Sequence, residues 1–256
     1  ALVAVGTAED VSMLADLAST DEDLQVRDAA FETLRLMTAR GTNKAVIALM
    51  NEAETLNPVL VKCALARRSP DFVSSFLKAA ESSGAATRLE AFQALEIMAT
   101  ENEAESLAGL LSRTAPGEER EIAGRAAWMS CQKISDPALR SAPLLAAMDQ
   151  AGVEGQCAIL PSLARMGGER SRAAIHSAMQ SNDQAVRDAG YRALANWPDA
   201  TVADELRDIA MTSTVGAYRV WSLRAYARVV SLPNQRPPRR TFEMLSDAMK
   251  LATRVE

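Results

Sequence analysis

One short motif, present twice, constrains this chain more than anything else in it. "DLQVRDAAFETL", from Asp23 to Leu34, returns 160 residues later as "DQAVRDAGYRAL", from Asp183 to Leu194, with an aromatic residue and then a leucine at the same offsets. Sliding the motif along the chain places Arg27, Arg88, Arg120, Arg187 and Arg219 in one column. Ala30, Ala91, Ala123 and Gly190 follow three residues on, then Phe31, Phe92 and Tyr191, then Leu34, Leu95 and Leu194. Arg27 and Arg219 stand 192 residues and six steps apart, a mean period of 32. The second and fifth units depart from the column, with Lys62 and Gln156 in place of arginine. A period in this range marks a solenoid, whose units bury their apolar faces only by stacking on their neighbours.

Each unit reads as two amphipathic helices. From Thr7 to Ser19, the residues Val11, Leu14, Ala15 and Ala18 fall on one face; from Leu24 to Met37, so do Val26, Ala29, Ala30, Leu34 and Met37. Both follow the 3.6-residue helical period. The turn "TDED" between them is acidic, which suits the start of the second helix, where backbone N–H groups await acceptors. The pairing repeats six more times, with units opening at Arg40, Ser69, Asn102, Asp136, Gly168 and Thr201. Asn57, Ser69 and Asp136 each place a capping side chain before a proline, a helix-start signature. Pro143 and Pro161 fall inside helical stretches and are expected to bend or break them.

The pattern predicts an all-α chain, a right-handed α-solenoid of about seven stacked hairpins forming a single array over residues 1–256. Composition agrees. Alanine is abundant, aromatics are 4% of residues, and such chains favour closely approaching helices. No run of 18 apolar residues is present to span a membrane. "ALVAVG" at the start is too short for a signal peptide and lacks its basic flank. Cys63, Cys131 and Cys157 stand singly in apolar helical surroundings and read as small buried hydrophobes, with no metal or disulfide role.

With these residues in view, the chain resembles the HEAT-repeat family. The likeness rests on "DEDLQVRDAAFETL" and "NDQAVRDAGYRAL", and on the junctions "ALVAVGTAEDVSMLADL" and "SLARMGGERSRAAIHSAM". The resemblance implies that "ALVAVG" is the tail of a second helix and "TFEMLSDAMKLATRVE" a first helix without its partner, so the array is expected to be cut mid-repeat at both ends. It also implies an arginine ladder paired with acids of the turns, here Asp21, Asp23 and Asp183 with Arg27, Arg88, Arg120 and Arg187. "ALANWPDATVADEL" and "LRAYARVVSLPNQRPP" are similar to HEAT modules of large multidomain bacterial proteins, often exported ones. That likeness leans the chain's origin toward export or the periplasm. Trp128 and Trp197 read as core or repeat-end residues.

No constellation for catalysis is legible, and the expectation from sequence is a chain that is not an enzyme and takes no cofactor or metal. The one histidine, His176, excludes HExxH, a three-histidine zinc site, and the paired His-Glu motifs of HEAT-type di-iron hydroxylases. The chain has no GxSxG elbow and no glycine-rich phosphate loop. One segment stands out. From Met211 to Phe242 run six arginines and no acid, with Tyr218, Trp221 and Tyr226 among them. Arginine beside aromatics grips phosphates, bases or partner proteins, but aromatics packed under arginine stems give the same pattern. Tyr218, Arg219, Trp221, Arg224 and Arg228 are the partner-binding candidates.

The leading functional reading is a noncatalytic scaffold. Its concave face, about 70 Å long at roughly 10 Å per helix layer, would receive a protein, a peptide or another domain of the same parent chain. Nucleic-acid binding, as in HEAT-like DNA glycosylases, ranks second. A net charge of −5 and acidic stretches such as Glu118–Glu121 oppose it. A lyase of the HEAT-type chromophore class ranks third, since no convergent acid or base is visible.

Overall fold

The chain is seen in a computed structural model, which describes residues 3, 6–52, 56–82, 84–233 and 235–255, with side chains to residue 252. Seven helical hairpins follow one another: α1 (Asp10–Thr20) with α2 (Leu24–Leu36), α3 (Thr42–Glu52) with α4 (Pro58–Arg67), α5 (Val73–Ala79) with α6 (Ala85–Met98), α7 (Ala104–Leu111) with α8 (Glu118–Gln132), α9 (Ala142–Gln150) with α10 (Val153–Met166), α11 (Gly168–Met179) with α12 (Gln184–Ala195), and α13 (Ala203–Thr212) with α14 (Gly216–Ser231). A further helix, α15 (Pro238–Val255), packs on α13 and α14. No strand occurs among the described residues. The fold is an all-α solenoid of stacked hairpins.

Short-range chemistry starts these helices. Asp23, Asn57 and Asp183 accept hydrogen bonds from the amides of Gln25, Val59 and Ala185, capping α2, α4 and α12. Four first helices are instead entered through a single 3-10 turn, at Pro70–Phe72, Glu101–Glu103, Pro137–Leu139 and Ala200–Val202. Ser69, Thr100, Asp136 and Asp199 cap these turns. At Thr100 the cap is reciprocal, because the Glu103 carboxylate accepts the Thr100 amide at 2.6 Å.

The second helices, α2 through α14, pack each on the next in an unbroken row, and the first helices cover its other side. Buried side chains form two apolar clusters. One runs from Val11 to Leu163 and the other from Leu160 to Leu251. They meet in α10, which gives Ile159 and Leu163 to the first and Leu160 and Ala164 to the second.

Neither proline breaks its helix as expected. Pro143 is the second residue of α9, where its missing N–H has no intrahelical acceptor to lose. Pro161 lies inside α10, and the helix continues to Met166 because residues 158–160 and 162–164 are all buried and hold it in place. Of "ALVAVG", residues 1, 2, 4 and 5 lie outside the described residues.

The small-residue column marks where the two helices of a hairpin approach most closely. Ala91 and Ala123 are fully buried. At Gly190 the approach is tighter, since a Cβ there would stand 2.8 Å from the Met179 amide nitrogen and 3.1 Å from the Ala178 carbonyl carbon. Backbone cannot yield as a flexible side-chain tip does. Gly190→Ala, a return to the column's own residue, is therefore expected to destabilise the chain by about 1–3 kcal/mol, measured as a lower urea midpoint.

α15 is tied to the array by an ion pair. Arg207 on α13 donates from Nε to Asp247 at 2.5 Å. This hydrogen bond holds the Asp247 carboxyl below its usual range, against the opposing effect of burial. A carboxyl depressed in the folded state stabilises that state above its unfolded pKa, about 4. The stabilisation is lost as the pH falls through the folded value. Asp247→Asn should therefore melt below wild type at pH 5, and the gap should narrow as the pH falls below about 4.

Candidate functional site

The arginine column does not form the ladder its repetition suggested. Arg88 donates to the carbonyl of Ser82 at 3.0 Å, Arg120 to that of Thr114 at 2.8 Å, and Arg187 to that of Ser181 at 2.5 Å. Each reaches six residues back, into the turn that ends the first helix of its own hairpin. Among the described residues Arg27 and Arg187 make no ion pair with Asp21, Asp23 or Asp183. Asp23 and Asp183 are occupied as helix caps, and Asp21 accepts the Asp23 amide at 2.9 Å. The physical reason is reach: carbonyls at a helix end need donors, and a guanidinium one turn into the next helix supplies them. Among the described residues Arg88 alone of the column also holds an acid, Glu119 of the following hairpin, through two bonds of 2.8 and 2.9 Å. Arg27 and Arg219 are half-buried, and the Nε of each lacks a hydrogen-bond partner.

A second set of cations joins one hairpin to the next. Arg67, ending α4, donates through one nitrogen to the carbonyls of Leu34, Arg35 and Met37 at 2.9, 3.2 and 2.8 Å, closing the end of α2. Lys133 and Ser130 do the same for Ala99 and Thr100 at the end of α6. Arg228 bonds the carbonyls of Ala195 and Trp197 at 3.0 and 2.7 Å, at the end of α12.

The partner-binding candidates therefore separate. Tyr218 is 5% exposed. Its ring stacks on Tyr191 with centroids 3.7 Å apart, and its hydroxyl donates to Asp188 at 2.6 Å. Burial and that carboxylate push the phenol pKa up. Tyr218 belongs to the packing between α12 and α14, and Arg228 is in part a helix cap. Arg219 is half-buried and does not line the groove formed by the other two candidates, which leaves Trp221 and Arg224. They line a groove of about 350 Å³ with Arg192, Ala195, Asn196, Ala225 and Arg228. The guanidinium of Arg192 lies 4.6 Å from the Trp221 ring centroid, a cation–π geometry. Sequence reasoning missed Arg192, Ala195 and Asn196, because they come from the preceding repeat. The register carried the signal: Arg192 and Arg224 each lie five residues past their column arginine.

Elsewhere, His176 on α11 lies 2.6 Å from Glu205 of α13, which also pairs with Arg172 at 2.7 Å. Cys63 and Cys131 are buried, and burial pushes the Cys131 thiol up to about 12. Trp197 is buried, with its indole N–H on the Thr201 hydroxyl at 3.1 Å. Trp128 is half-buried, with its indole nitrogen unpartnered.

The fold is an all-α solenoid, and a specific repeat family is not shown for it. No protein-family model matches the chain, and no curated protein matches it in sequence. Among solved structures, the chain is similar to one from the complex of CpcE and CpcF of phycocyanin lyase from Nostoc sp. PCC7120. The identity is 15% and the TM-score 0.37, over 93% of this chain and 94% of that one. It is also similar to human deoxyhypusine hydroxylase in complex with glycerol, at 15% identity and TM-score 0.36, over 99% of each chain. Both are enzymes by name. The expectation that this chain is not an enzyme is therefore withdrawn: missing catalytic motifs are no ground for excluding catalysis. Among the described residues no helix is long and apolar enough to cross a membrane.

Proposed function

We propose that the chain, as one array over residues 1–256, binds a protein partner along its row of second helices, with the α12–α14 groove as the principal site. The observation that carries this reading is one register column along the row. Nine residues past the column arginine stand Leu36 and Ile97, 46% and 59% exposed, then half-buried Met129, then Asn196 and Arg228 in the groove, where Arg228 also caps α12. Apolar residues exposed in register along one face, ending at a tryptophan and arginines, have the composition of a protein-binding surface. A stacked array presents such a face as one extended binding surface. Acids in a neighbouring column, Asp28, Glu121 and Asp188, work against a polyanion running the length of the row.

Affinity capture from source-cell extract, at two salt concentrations and with or without nuclease, tests the reading once the captured protein is rebound in purified form. A partner that survives nuclease and is lost with Ile97→Asp and with Trp221→Ala is the expected result. Recovery abolished by nuclease would replace the reading with nucleic-acid binding.

A further inference from the structure

We infer that the groove between α12 and α14 seats an acidic side chain of the partner protein, in the place where Glu96 of α6 serves Arg125 of α8. This deepens the proposal above and rests on it. Arg125 and Arg224 share one register position, five residues past Arg120 and Arg219. Arg125 is answered from the preceding second helix: Glu96 accepts its Nε at 3.0 Å and its terminal nitrogen at 3.2 Å. Glu96 stands eight residues past Arg88. Eight residues past Arg187 stands Ala195, which lines the groove. The arginine has been kept and its carboxylate is missing.

No other carboxylate substitutes. α14 contains no acid, and the one acid of α12, Asp188, already accepts from Tyr218 and from Gln184 at 2.6 Å each. Arg224 is exposed, with no hydrogen bond or ion pair among the described residues. Arg192 has the Trp221 face and, among the described residues, no ion pair. Arg228 engages one nitrogen on carbonyls, which both fixes its guanidinium and offsets the negative end of α12. Elsewhere in the stack, arginines meet acids across hairpins: Arg88 with Glu119, Arg172 with Glu205, Arg207 with Asp247. The groove is thus a local concentration of three cations in a chain of net charge −5. A carboxylate can bridge a guanidinium through two parallel bonds, and the Trp221 ring offers an apolar wall for the stem. The short groove suits one or two side chains of a protein better than a phosphodiester backbone.

Fluorescence anisotropy on the whole chain tests this with three labelled probes: a decapeptide of alternating Glu and Ala, its Gln counterpart, and a ten-residue oligothymidylate. The Glu peptide should bind about tenfold tighter than the Gln peptide, the effect of one charge-assisted pair. Ala195→Glu, which restores the missing carboxylate without removing a cation, should erase that preference. Arg224→Gln, at an exposed position with no fold to disturb, should erase it too. Equal binding of the two peptides, a preference that survives both variants, or tighter binding of oligothymidylate would each overturn the inference. A captured partner that needs Ile97 and Trp221 but tolerates Ala195→Glu would sink the acidic seat and leave the second-helix reading standing. Indifference to Ile97→Asp and Trp221→Ala would sink that reading itself.

Discussion

Trp197→Ala is expected to unfold the C-terminal core before the N-terminal one. Trp197 is 2% exposed and belongs to the cluster that runs from Leu160 to Leu251. Its indole N–H is satisfied by Thr201, and its carbonyl accepts from Arg228, so it joins the end of α12 to the 3-10 turn that enters α13 and to α14. Truncating a buried tryptophan costs about 3–5 kcal/mol. In a stacked array that loss stays local, because stability is a sum of unit and nearest-neighbour terms. Hydrogen exchange should therefore speed up in α11 through α14 while α6 and α8 keep their protection. Equal loss along the whole chain would show that the two clusters unfold as one body.

Arg67→Met carries the second large effect, at a place no apolar pattern marks. One guanidinium closes three carbonyls at the end of α2, and its Nε donates to Asn43 at 2.7 Å. Methionine keeps the stem and removes every donor, leaving half-buried carbonyls of another hairpin unsatisfied. Hydrogen bonds to a charged group contribute about 1.5–3 kcal/mol, so a loss of about 2–3 kcal/mol is expected. It should appear in the denaturant midpoint and as faster exchange at Leu34 to Met37. Lys62→Met, an exposed change one turn earlier on the same helix, should be close to neutral. A comparable loss there would mean that α4 itself, and not the cap on α2, is being weakened.

How much could be read in advance depended on the range of the interaction. The hairpins, their turns and the helix-start caps at Asn57, Ser69 and Asp136 came from patterns spanning a few residues. Pro161 misled, because its effect on α10 is decided by buried neighbours on both sides rather than by the proline alone. The arginine column was seen and given the wrong partners. Repetition shows that a position recurs, and the atoms its side chain reaches are set by the turn it faces. Of the five candidate contact residues, Tyr218 proved to be packing, while Arg192 was overlooked on a helix some thirty residues earlier.

The sequence by itself determined the hairpin, its period near 32 and the register in which equivalent residues stack, because helical periodicity, capping and turn chemistry are local. The tertiary structure alone decided which side chains stacking uses up. The partner of an arginine such as Arg125 lies one repeat away, 29 residues along the chain yet in direct contact. Arg125 therefore finds Glu96 while Arg224, at the same place in the repeat, finds Ala195. That difference of one side chain across a helix pair separates a structural ion pair from an open groove.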